Sequence, residues 1–384
     1  MFLVYLGSAL ALMHLYIWKR MARDTTRPGR ARWALTGVVL ALALLLVATL
    51  MLPRFLDVPE PTWLAWPGYL WFGVVVYLVL ALLVLEPVRL ALRRWVKRAP
   101  EPEPDAAVMD RRLFLARASA AAAGVTALGV TGVGAHTALS APRMLTVPVS
   151  LRRLGPELSG YRIAVVSDIH LGTLLGRSHT ERIVRMINEA QPDLVAIVGD
   201  LVDGTVAELG AAAEPLQDLV SRDGSFFVTG NHEYFVEDPP SWIRELDRLG
   251  VHSLQNESTR ISRGGAAFDL AGVNDIGGAR FGDPPDFDRA LAATDPSGPT
   301  VLLAHQPVMI DEAAAHGVDL QVSGHTHGGQ MWPFHYAVRA VQPSLAGLTT
   351  HDETQLYVTR GAGFWGPPVR IGAPPDITIL TLQE

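Results

Sequence analysis

Cysteine is absent from the 384 residues, which removes disulfide frameworks, thiolate-bound zinc, iron–sulfur clusters and thiol nucleophiles. The redox compartment stays open, because an oxidising space permits disulfides without requiring them. Charge is scarce as well, at 18% of residues against roughly 25% in an ordinary soluble domain. That scarcity is uneven. Residues 1–100 carry 12 Lys/Arg against 4 Asp/Glu, residues 101–144 carry 4 of each, and residues 145–384 carry 16 against 30. A net charge of −6 therefore hides a basic, apolar N-terminal part and an acidic remainder large enough for one sizeable core.

Three apolar runs, Phe2–Trp18, Trp33–Leu52 and Trp63–Leu85, each approach the roughly 20 residues a helix needs to cross a bilayer. They predict three transmembrane helices within residues 1–98. Trp18, Trp33, Trp63, Trp66, Tyr69 and Trp71 lie near the run ends, where amphipathic rings favour headgroup level. His14 is a lone polar residue in the first run. Lys19, Arg20, Arg23, Arg27, Arg30 and Arg32 follow that run, whereas Arg54 stands beside Asp57 and Glu60 after the second. The positive-inside rule places the first link in the cytoplasm, and Arg89, Arg93, Arg94, Lys97 and Arg98 do the same for the chain after the third run.

Residues 99–110 read as a stiff, proline-rich linker. The segment 111–140 opens with Arg111-Arg112-Leu113-Phe114-Leu115 and continues as a mild Ala/Gly/Thr stretch. It resembles an internally placed twin-arginine export signal, with a plain membrane crossing as the alternative. Either reading puts the chain after about residue 140 outside the cytoplasm, so the expected location is a multi-pass cell-membrane protein with an extracytoplasmic domain.

From residue 145 to 384, short β-branched runs alternate with polar helical stretches, the signature of strands separated by helices. Strands are expected at Tyr161–Ser167, Leu194–Val198, Phe226–Thr229, Phe268–Val273, Val301–Ala304, Leu320–Ser323, Leu356–Thr359 and Ile377–Leu382, with a helix over Thr180–Ala190. Five of the strands end in ligand-type residues: Asp168-Ile169-His170, Gly199-Asp200, Gly230-Asn231-His232-Glu233, His305, and Gly324-His325-Thr326-His327. Sites in open α/β sheets form just beyond strand C-termini, so these residues are expected to converge. In extended chain, positions i and i+2 of Asp-x-His and His-x-His project to one side. Glycines 199, 230 and 324 allow close backbone turns.

These five ordered blocks, in the extended forms SDIHLG, GNHEY and GHTHGGQ, resemble the calcineurin-like metallophosphoesterase superfamily, its membrane-associated bacterial branch in particular. The resemblance implies an α/β fold, a four-layer αββα sandwich holding two divalent metals about 3.5–4 Å apart. It implies one metal on Asp168, His170, Asp200 and His327, and a second on Asp200, Asn231, His305 and His325, with Asp200 bridging. Imidazoles, carboxylates and an amide suit Mn, Fe or Zn better than Mg. A water shared by two such ions is largely ionised near neutral pH and is the implied nucleophile. His232 takes the role of general acid, and Asp203 and Glu233 that of supports for the ligands.

The expected activity is hydrolysis of a phosphodiester or pyrophosphate bond in a phosphorylated small molecule or lipid. Arg360 and Arg370 are candidates for a second phosphate, and Trp332, Phe364 and Trp365 for an apolar mouth. A membrane sensor or scaffold that merely binds a phospho-ligand, and a nucleotide phosphodiesterase, are the alternatives. The domain's net charge of −14 disfavours a nucleic-acid partner. Uncharged spans speak against a transporter.

Overall fold

The computed structural model describes residues 2–56, 58–92, 111–236 and 238–384, so the linker expected at 99–110 lies outside the described residues. The chain divides into two compact units, residues 1–136 with 366–369, and residues 137–365 with 370–384.

The first unit is helical. Helix α1 (Phe2–Ile17) runs into a π-helical turn at Trp18–Arg23, and α2 (Arg30–Leu56), α3 (Thr62–Ala91) and α4 (Arg111–Leu139) follow. By length and composition α2, α3 and α4 can cross a membrane. Of the three runs expected to span within 1–98, the second and third form α2 and α3. The first forms α1, whose 16 residues continue directly into the π-helical turn.

Large apolar side chains of this unit face outward, Val125 and Val84 being 73% exposed. Buried within it are large side chains such as Ile17, Leu46 and Leu82 and small residues that let helices approach closely. A Cβ on Gly68 would lie 1.8 Å from the Thr49 hydroxyl of the neighbouring helix. His14 is buried and satisfied on both ring nitrogens: Nδ1 lies 2.8 Å from the Leu10 carbonyl, and Trp71 donates to Nε2 at 3.1 Å. Charge sits at the helix ends, where Arg20 bonds Asp24 at 2.9 Å and Glu86 at 2.8 Å.

The second unit holds two six-stranded sheets. Its strands are β1 (Arg143–Ser150), β2 (Arg162–Val166), β3 (Leu194–Val198), β4 (Ser225–Val228), β5 (Val251–Ser253), β6 (Glu257–Arg263), β7 (Ala266–Gly272), β8 (Thr300–Leu303), β9 (Leu320–Ser323), β10 (Gly347–His351), β11 (Thr354–Val358) and β12 (Asp376–Gln383). The first sheet runs β1-β12-β2-β3-β4-β5 and the second β10-β11-β9-β8-β7-β6. Strands β2 to β5 are mutually parallel, as are β7, β8, β9 and β11. Their ligand-bearing C-termini therefore emerge at the same end of each sheet.

Alternation along the strands builds the layers. Ile163, Val165, Leu194 and Ala196 meet Leu270, Val301, Leu303 and Val322 of the other sheet. The alternate residues Ala164, Val166, Val195 and Ile197 face the helices α5 (Arg177–Glu189), α6 (Val206–Ala213) and α7 (Pro239–Arg248), packing on Ile183, Ile187, Trp242 and Leu246. On the far side, Ala271, Leu302 and Ala304 meet α8 (Phe287–Leu291) and α9 (Ile310–Ala315). Helix, sheet, sheet, helix is the expected four-layer order. Both sheet faces are covered, which explains why β2 and β3 read as continuous apolar runs.

Candidate metal centre

The loops after β2, β3, β4, β8 and β9 bring the five sequence blocks together. Three overlapping groups of ligand atoms result, each within 4.8 Å: Asp168, His170 and His327; His170, Asp200 and His232; and Asp200, His305 and His325. Asp200 belongs to two of them and joins the halves. His327 Nε2 lies 3.2 Å from Asp168, His305 Nε2 lies 3.2 Å from Asp200, and the Nε2 atoms of His170 and His327 are 3.0 Å apart. Asn231 reaches the same place through its side-chain oxygen, 2.9 Å from His325 Nδ1.

The side chains converge by a route other than the extended i, i+2 geometry expected from the sequence. Asp168, His170, Asp200, His325 and His327 all adopt left-handed backbone, with φ between 50° and 69°. A non-glycine residue there costs of order 1–2 kcal/mol, and clustering of such residues marks a functional site. The turns also interlock. A Cβ on Gly324 would lie 1.9 Å from the Ser167 hydroxyl, and one on Gly230 would lie 2.2 Å from Asp200.

Around the cluster, hydrogen bonds fix each ring and carboxylate. His305 Nδ1 donates to the Val198 carbonyl at 2.8 Å, and its Nε2 is buried with no hydrogen-bond partner. One oxygen of Asp203 holds both His170 Nδ1 at 3.0 Å and His232 Nδ1 at 2.7 Å. Glu233 is buried, and its carboxylate accepts from the backbone amides of Asp200, Leu201, Val202 and Gly230. It thereby ties the β3 and β4 loops together and does not face the cluster as a ligand.

The electrostatics follow from this enclosure. Burial alone would raise the Asp168, Asp200 and Asp203 carboxyls, but the facing histidines outweigh it and hold all three below the usual carboxylate range. Burial opposes charge on His232, yet Asp200 and Asp203 prevail and push it up to about 9. Burial dominates at His325 and His327, both lowered to about 4, so they stay neutral and ligand-competent at pH 7. Carboxylate oxygens and imidazole nitrogens thus converge, within 4.8 Å of one another in each group. Converging carboxylates and imidazoles, with the buried Nε2 of His305 left without a hydrogen-bond partner, fit two divalent metals.

Two expected substrate contacts are corrected. Arg370 is 1% exposed, and its guanidinium donates to the carbonyls of Gly363, Ala373, Arg360 and His327 and lies 3.1 Å from His327 Nδ1. Its donors are committed to bracing His327, so it does not reach for a phosphate. Phe364 is also buried, against Leu175 and Ala138, and is no part of a mouth. Trp332 and Trp365 are half exposed, and Arg360 is partly exposed with its guanidinium 2.9 Å from Asp376.

Sequence reasoning missed three neighbours of the site. Phe235 is 71% exposed with its ring 4.9 Å from that of His232, opposite Trp365 at 6.1 Å. Ser167 donates to Asp168 at 2.7 Å. Asp275 is fully buried and held by Gln306 and the Gly277 amide. It follows β7, so the rule that located the other residues beyond strand ends would have found it too.

The sequence model of the family described as calcineurin-like phosphoesterase matches residues 161–329, which contain every block of this cluster. The chain is 34% identical to a transmembrane protein with metallophosphoesterase domain from Danio rerio, over 100% of this chain and 89% of that protein. Its counterpart in Bos taurus is 36% identical over 99% and 88%. An uncharacterized metallophosphoesterase of Helicobacter pylori is 40% identical over 66% and 68%. With the converged blocks, the four-layer frame and likeness along its whole length, the chain belongs to the calcineurin-like metallophosphoesterase family, metal-dependent phosphoester hydrolases with a dimetal centre.

Proposed function

We propose that this protein is a membrane-associated phosphoesterase that hydrolyses a phosphodiester or pyrophosphate bond in a lipid- or nucleotide-linked envelope compound. The convergence of Asp168, His170, Asp200, Asn231, His305, His325 and His327 carries the reading, and Asp200, which stands in two of the ligand groups, would serve both metals. Mn, Fe or Zn suits this donor set. Bound there, the metals supply positive charge to the phosphoryl oxygens and an acidified water. The chain's own residues do the rest. His232 stands protonated beside the cluster and donates to the leaving oxygen, and Asp203 aims its ring by holding Nδ1. Glu233 and Arg370 fix the loops that present the ligands.

The exposed rings of Phe235, Trp332 and Trp365 favour a substrate with an apolar portion, and the acidic domain disfavours a polyanion. The relatives' names support a membrane protein, the arginine distribution supports a catalytic domain outside the cytoplasm, and the Arg111-Arg112 pair supports export by a twin-arginine route.

A thin-layer screen for monoester products from phospholipids and nucleotide-sugars, with p-nitrophenol release from bis-p-nitrophenyl phosphate, tests the activity of the Mn-loaded full chain. Turnover of lipid- or nucleotide-linked esters is the expected result. Tight binding without turnover of any of them would favour the sensor instead. Labelling of the catalytic domain on intact cells tests its location, with protection until lysis as the overturning result.

A further inference from the structure

The helical unit holds a second polar site, unrelated to the catalytic reading. Near the π-helical turn, most cations already have anions or carbonyls. Asp24 accepts from Lys19, Arg20 and Arg89, Glu86 accepts from Arg20 and Tyr16, and Arg32 donates to the carbonyls of Arg23 and Thr26. Arg27, Arg30 and Arg117 are placed differently. With Pro28, Gly29 and Leu113 they line a cavity of about 430 Å³, and among the described residues none of the three forms an ion pair.

The cavity keeps its shape without help from most of their guanidinium donors. The Thr25 hydroxyl donates to the Met21 carbonyl at 2.6 Å, the Thr26 hydroxyl to the Ala22 carbonyl at 2.6 Å, and Arg117 spends only Nε, on the Thr25 carbonyl at 3.1 Å. Arg30 opens α2, and Leu113 and Arg117 lie in the first two turns of α4. Both helices are apolar enough to span, so the cavity lies where hydrocarbon gives way to headgroups, whichever side that is. Phe114, 50% exposed, extends the apolar strip of α4 away from Leu113.

Three like charges gathered in one preformed cavity call for an anion, and arginine forks match phosphate oxygens. The volume lies within the range of small-ligand sites. We infer that this cavity binds the phosphate of an anionic phospholipid headgroup, with an acyl chain along Leu113 and Phe114. A free phosphate ion offers the same charge but leaves the apolar strip unused.

The test uses the full chain in detergent, titrated with short-chain phosphatidylglycerol, phosphatidylcholine or inorganic phosphate and read by native mass spectrometry and thermal shift. Phosphatidylglycerol should bind and raise Tm, and the other two should not. Arg30→Gln and Arg117→Gln should each weaken that binding about fivefold, given about 1 kcal/mol per cation at a membrane surface. Arg23→Gln makes the same charge change outside the cavity lining and should have little effect. If either variant fails to fold, Arg27→Gln removes an exposed side chain and carries the same fivefold expectation. The inference is overturned if the cavity variants bind phosphatidylglycerol as the unaltered chain does. Arg23→Gln weakening it equally would also overturn it, as would inorganic phosphate binding as well as the lipid.

Discussion

The two units solve burial in opposite senses. In the helical unit large apolar side chains such as Leu44 and Val125 face outward and Ala22, Ala65 and Ala127 are buried; in the catalytic unit Ile197 and Leu303 are buried and a cluster of aspartates and histidines is buried with them. A helix satisfies its own backbone and can meet lipid with any apolar side chain. Buried carboxylates have no such freedom. They survive in the catalytic unit because amides, hydroxyls and rings are arranged around each one, Glu233 with its backbone amides being the fullest case. One unit is specified by what surrounds it, the other by what it encloses.

That contrast can be broken or sharpened by substitution. Asp200→Asn should have the largest effect, a loss in kcat of about a thousandfold or more with reduced metal content, while the helical unit is untouched. Release of p-nitrophenol from bis-p-nitrophenyl phosphate, with elemental analysis, checks it. His232→Gln should retain metal and lose about 10²–10⁴-fold on esters with poor leaving groups, but little on p-nitrophenyl esters, whose leaving group needs no proton. Equal losses on both would remove His232 from proton donation. Ile197→Ala should cost about 2–5 kcal/mol of stability, whereas Val125→Ala should cost under about 0.5 kcal/mol. Thermal melts of the two variants in one detergent make the comparison, and similar shifts would refute it.

A further effect, confined to low pH, concerns acid. His179 in α5 is 6% exposed, its Nε2 lacks a partner, and burial, aided by Arg182 and Arg370, lowers it to about 4. Its unfolded value lies near 6.5. The unfolded chain therefore takes up the proton first, so the stability is present above pH 6.5 and declines as pH falls towards 4, by about 3 kcal/mol at most. His179→Leu should flatten Tm between pH 7 and 4, and an unchanged acid limb would count against this assignment.

Much of the frame was legible because apolar runs and ligand blocks alternate along the chain. β3 and β9 occupy the expected residues, Leu194–Val198 and Leu320–Ser323. The four strands the sequence did not reveal, β1, β5, β6 and β10, are the four sheet edges. Edge strands face water on one side and are cut short or made polar, so the apolar signal fades; β5 has three residues, and β6 carries Glu257, Arg260 and Arg263. The left-handed ligands were illegible for another reason, since nothing in an aspartate or a histidine announces the sign of φ. Arg370 misled because arginine normally reads as surface. Only the carbonyls that surround it explain its burial.

Strand β12 is inserted between β1 and β2, pairing Thr378 with Val165 and Met144 with Ile377. Its partners are more than 200 residues away along the chain, whereas β2, β3 and β4 succeed one another and carry Asp168, Asp200 and Asn231 beyond their ends. Contacts of high sequence separation form late, so closure of this sheet is expected to limit the folding rate. Until β12 arrives, β2 is an open edge with unpaired amides, the feature that seeds aggregation. The half-assembled domain is thus most vulnerable at a strand whose far end already carries a ligand, and metal binding there would favour the productive path over self-association.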